Sequence, residues 1–137
     1  MLQFYFLSIV ANLLAGLTLA SDYLAERFKG FSLYAELMSR RNVRTSVGIA
    51  AFVIGFLKLL IRSSATDVPV VGDLLPALAG LAMGAALVVG LIRDRSGVPD
   101  DKASGFEKTV VTYRVPLGIA GLVIAALHFL LPGALFL

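Results

Sequence analysis

Two side chains that could do chemistry fall inside otherwise apolar stretches of this chain. Lys58 lies in VGIAAFVIGFLKLL, from Val47 to Leu60, and His128 lies in LGIAGLVIAALHFL, from Leu117 to Leu130. The two lines stand 70 residues apart and agree at seven of fourteen positions, with Lys58 and His128 at the same one. An ammonium and an imidazole in such surroundings suit an anionic headgroup, a quinone carbonyl or the carboxylate of a partner. Asp73 is the carboxylate expected beside them, completing a polar pocket open to the outside. Asp73 also reads as the N-cap of the next helix, with Leu74 first and Pro76 still in the first turn. A structural role competes with the pocket. Lys58 stands about three residues, roughly 5 Å, from the end of its run, and a lysine snorkels that far. A cation at a helix C-terminus also satisfies orphan carbonyls. Shallow depth favours this structural role.

Other chemistry is narrowed by composition. The chain has no cysteine and one histidine, which excludes thiol catalysis and disulfides and leaves no protein-built metal or haem site. No HExxH, GxSxG, phosphate loop or carboxylate pair occurs in the apolar regions. The expectation is a protein that is not an enzyme and carries no cofactor and no metal. Asn12, in the middle of the first apolar run, is expected to bond a neighbouring backbone carbonyl and fix packing.

The elements that must position these residues follow from four long apolar runs. The chain has 137 residues, 58% hydrophobic and only 15% charged, more apolar side chain than a soluble domain of this size hides. The runs predict transmembrane helices at about 4–22, 45–61, 74–92 and 115–135, each near the roughly 17–25 residues that cross a hydrocarbon core. The first run has no basic residue before it, which argues for a mature helix over a signal peptide. Loops 23–44 and 93–114 hold ten of the twelve basic residues, and neither terminus has one. The positive-inside rule then places both loops in the cytoplasm and both termini outside the cell (inner) membrane. The net charge of +3 is a topology signal, with lipid headgroups and not nucleic acid as the partner. Residues 31–41 are apolar at 31, 34, 35 and 38, consistent either with a short interfacial helix or with the first helix running on to a turn at Gly30. The stretch from Arg93 to Lys108, rich in Gly, Pro and Asp, reads as a mobile connection.

A second match accompanies the first. Asn12 to Ala20 aligns with Pro76 to Gly84 at an offset of 64, sharing Leu-Ala-Gly-Leu. Two ordered matches predict an all-α, integral membrane four-helix bundle made of two tandem helical hairpins. Each hairpin crosses twice, so the copies point the same way about a pseudo-twofold axis along the membrane normal. Gly48, Ala51, Gly55 and Lys58 repeat the spacing of Gly118, Gly121, Ala125 and His128; Asn12, Gly16 and Ala20 repeat that of Pro76, Gly80 and Gly84. These small-residue stripes let backbones approach in lipid, where dispersion does the work of water expulsion. With little but helix surface to act with, the chain is expected to be a noncatalytic scaffold or accessory subunit bound to other integral membrane subunits or to itself. The alternative is an oligomeric small channel or transporter, against which stands the lack of Asp, Glu, Arg or Lys in the middle of every run.

Overall fold

The computed structural model describes residues 2–60, 74–97, 102 and 104–131. Among them the chain is helical, with no strand: α1 (Leu2–Leu19), α2 (Ser21–Arg27), a 3₁₀ turn (Lys29–Phe31), α3 (Ser32–Ser39), α4 (Arg41–Leu60), α5 (Leu74–Ser96), α6 (Gly105–Thr112) and α7 (Arg114–Leu130). By length and composition α4 and α5 can each cross a membrane. The pairs α1–α2 and α6–α7 meet the same measure only together, bent by 69° and 57°.

The bends have causes in the sequence. The Thr18 hydroxyl donates to Leu14 O at 2.6 Å, and Ser21 Oγ donates to Thr18 O at 2.9 Å. Hydroxyls that bond back to the preceding turn loosen the carbonyl ladder and bend helices. The predicted helix over 4–22 therefore ends at Leu19, and Ser21 begins a new one. At the other bend, Pro116 lies in the first turn of α7, where its ring crowds the carbonyl four residues back and it offers no N–H. The chain breaks at Tyr113 in consequence.

The connections carry more helix than the sequence suggested. Gly30 does interrupt the chain, in the 3₁₀ turn, and residues 32–39 then form α3. The stretch expected to be a mobile connection from Arg93 is helical at both ends: α5 continues to Ser96, and α6 starts at Gly105. A capping box starts α6. Glu107 N donates to Ser104 Oγ at 3.2 Å, and Ser104 N donates to Glu107 Oε2 at 2.7 Å. Two orphan donors are satisfied reciprocally. The helix expected at 45–61 starts earlier, at Arg41, and α7 is described to Leu130; the expected end at 135 lies outside the described residues.

The four long helices stand at the corners of a rhombus. α1 touches α4, α5 and α7, and α5 touches α1, α4 and α7. α1 and α5 thus occupy the short diagonal, and α4 and α7 face each other across the long one. The core between them is built of Ala15, Leu19, Ala51, Ala79, Met83, Ala86 and Leu87. Mostly small side chains bring helix axes close, and glycines bring them closer. A Cβ on Gly84 would stand 2.6 Å from Phe52 N and 2.8 Å from Gly48 O. One on Gly118 would stand 2.7 Å from Gly16 O. Gly121 leaves the space that the Met83 thioether fills.

Candidate functional site

Near their C-terminal ends α4 and α7 present Lys58 and His128, each on the small-residue stripe of its helix. Lys58 Nζ lies 2.8 Å from His128 Nε2, and the residues are 4% and 1% exposed. An ammonium has only donors, so the imidazole accepts at Nε2 and carries its proton at Nδ1. Two cations at this separation in a buried place would repel strongly.

A third helix completes the arrangement. Tyr5 of α1 donates its hydroxyl to the backbone carbonyl of His128. Its ring lies 4.6 Å from the imidazole, centroid to centroid, tilted by 52°. Lys58 Nζ stands 5.7 Å from the same ring, within the reach of a cation–π attraction. Below it Ser8, itself buried, donates to Tyr5 O at 2.7 Å. Tyr5 was not among the residues the sequence singled out. The available signal was its type and place: a tyrosine at the start of an apolar run, apolar in body and polar at its tip. Asp73, the expected third member of the pocket, lies outside the described residues.

One turn and more inward, Asn12 Nδ2 donates to Pro76 O at 2.9 Å. Gly80 provides the space for the amide: a Cβ there would come within 2.9 Å of Asn12 Oδ1. Gly16 packs on α7 at Gly118, Gly48 and Gly55 pack on α5, and Gly80 and Gly84 pack on α4. Among the described residues no group of three or more His, Cys, Asp or Glu side chains could hold a metal ion.

Comparisons with known proteins give kinship without an activity. A family model, describing a domain of unknown function, matches residues 1–128. An uncharacterized protein of Treponema pallidum (strain Nichols) is 34% identical over an alignment of 146 residues that covers 100% of both chains. No solved structure matches.

Proposed function

The chain belongs to this family, and on that premise we propose a noncatalytic integral membrane subunit: a four-helix bundle of two tandem hairpins that scaffolds or stabilises a larger membrane complex. The observation that carries the reading is a division of labour between inside and outside. Inside, Asn12, Ser8, Thr18, Tyr5, Lys58 and His128 direct their polar atoms at one another or at carbonyls of the bundle. Outside, α4 turns out Phe52, Val53 and Phe56, and α7 turns out Ile119, Val123 and Leu127, all more than a third exposed. In water such faces would be a heavy liability; against lipid or a partner helix they are the ordinary surface.

The duplication has support of a geometric kind. Lys58 and His128 are equivalent under the offset of 70, and they touch. Asn12 and Pro76 are equivalent under the offset of 64, and they touch as well. A residue can touch its own symmetry mate only near the axis. The rhombus also maps onto itself when α1 exchanges with α5 and α4 with α7. Both relations favour a parallel pseudo-twofold along the bundle. Together with the basic loops, they favour a cell-membrane protein with both termini outside.

The test is co-purification. Extraction in a mild detergent followed by native mass measurement should recover the chain with other integral membrane subunits, in fixed stoichiometry. Recovery as a homo-oligomer that conducts ions when reconstituted would replace this reading with a small channel.

A further inference from the structure

The segment that carries α2 and α3 is tied to the bundle at both ends. One residue, Ala20, separates α2 from α1, and one, Arg40, separates α3 from α4. α2 leaves α1 at 69°, a bend that lays it closer to the membrane plane than to the line of the crossing. A side-chain contact fixes the level of α3: the sulfur of Met38 lies 3.2 Å from Thr18 Oγ1, in the last turn of α1. The segment thus sits where the crossings leave hydrocarbon. At 3.6 residues per turn α3 has three faces. Tyr34 and Met38 turn to the bundle, with Met38 buried and the Tyr34 hydroxyl shut off from solvent. Ser32, Glu36 and Ser39 make a polar, exposed face. Leu33 and Leu37 make the third, 76% and 43% exposed, and Phe28 just before the 3₁₀ turn is exposed too. Lys29 and Arg40, both exposed, flank the leucines, and their long stems reach from that level to water.

Three faces call for three surroundings: protein, water and an apolar medium. The second repeat uses the same device. α6, eight residues long like α3, stands one residue before α7 and meets it at 57°. Its Val110 packs on the core, while Phe106 and the following Tyr113 are exposed. Aromatic side chains are ordinary at headgroup level. A protein partner would have to be supplied separately at α3 and at α6, whereas a bilayer is present at both. We propose that α3 lies in the boundary between lipid headgroups and acyl chains, with Phe28, Leu33 and Leu37 sunk into lipid and its polar face in water. The inference rests on the membrane reading of the bundle and goes beyond it by naming what covers this face.

The experiment uses the full chain, which has no native cysteine, with single cysteines carrying a nitroxide label, one copy to each lipid nanodisc of phosphatidylcholine. Collision with oxygen, which favours lipid, is compared with collision with a nickel chelate, which favours water. Labels in Leu33→Cys and Leu37→Cys should meet the nickel chelate about fivefold less often than labels in Glu36→Cys and Ser39→Cys, as for a face sunk roughly 5–10 Å into the boundary. They should also meet oxygen more often. Equal nickel collision on the two faces overturns the proposal. So does shielding of the Leu33→Cys label from both reagents, which would mean that protein covers the face. Phe52→Cys and Val53→Cys, on the exposed face of α4, separate the two possible failures. Lipid exposure there with water exposure at Leu33→Cys keeps the membrane bundle and removes the surface helix. Water exposure at every position removes both.

Discussion

Lys58 reaches across to His128 from a helix that otherwise stands on the opposite corner of the bundle, and the two nitrogens meet at 2.8 Å. The contact ties the long diagonal of the rhombus at one end. Its two halves are chemically unequal. Removing His128 takes a hydrogen-bond acceptor from a buried ammonium, whereas removing Lys58 takes one donor from an imidazole. His128→Leu should therefore destabilise the detergent-solubilised protein more than Lys58→Met, each within about 1–3 kcal/mol. The double variant should recover part of the loss, because the buried ammonium is gone together with its acceptor. Thermal unfolding of the three variants checks this. A double variant as unstable as the sum of the singles would mean that the two residues act independently.

How far the sequence reached is clearest at this pair. The shared spacing of small residues in two copies put Lys58 and His128 on matching stripes; the stripes pack on α5 and α1, and the two long side chains meet across the diagonal between them. Tyr5 was out of reach for the opposite reason. Its run is apolar nearly all round, so no periodicity says which face looks inward. The bends at Ala20 and Tyr113 were missed because a run of apolar residues reports length, while a bend depends on single hydroxyls and on Pro116. The start of α6 was legible in principle. Ser104 and Glu107 have capping-box spacing, but the glycine and aspartates before them masked it.

Glycines on the contact faces are expected to be intolerant in proportion to what a Cβ would meet. Gly84→Ala drives its methyl into the backbone of α4 and should cost about 1–3 kcal/mol, as overpacking does. Gly105→Ala meets nothing within 4 Å and should be neutral or stabilise by about 0.5–1 kcal/mol, the usual gain of alanine over glycine in a helix. Melting temperatures of the two variants, side by side, decide the matter; similar losses in both would show that the α4–α5 contact is not close.

Asn12→Leu keeps the branched shape of the side chain, adds bulk and loses the bond to Pro76 O. A polar bond between membrane helices contributes on average about 0.6 kcal/mol, so the loss should be small and Gly80 should set its sign. The longer leucine has to fit the space that Gly80 leaves for the amide. Asn12→Leu combined with Gly80→Ala should be worse than the sum of the two, by double-mutant cycle. Strict additivity would mean that Asn12 and Gly80 do not share that space.

The cap of α6 makes a pH prediction. The hydrogen bonds from the Ser104 backbone and side chain hold the Glu107 carboxyl below the usual carboxylate range. A depressed folded value means that the cap's contribution is fully present above the unfolded value and is lost as pH falls through the folded one. Hydrogen exchange at the first amides of α6 should therefore accelerate in the acid range below the ordinary glutamate titration. In Ser104→Ala the Glu107 titration should move part of the way back up, since the backbone N–H of residue 104 still donates, and an unchanged titration would remove the Ser104 hydroxyl as a cause.

The absence of native cysteine makes orientation directly measurable. Single cysteines at Gln3 and Leu131 should react with an impermeant maleimide added to intact cells. Cysteines at Ser39 and Lys102 should react only after the membrane is opened. Labelling of Gln3→Cys and Ser39→Cys from the same side would reverse the proposed topology or remove the first crossing.

Where Gly84 meets Gly48 and Gly16 meets Gly118, main chain lies directly on main chain, with no layer of pliable side chains between. Such seams behave as detents: sliding one helix along its neighbour by a single residue would thrust a side-chain carbon into a carbonyl or an amide. Motions that tilt α1 and α4 past α7 and α5 are thereby penalised from the first ångström. What this bundle transmits to a neighbour, it transmits as a stiff body.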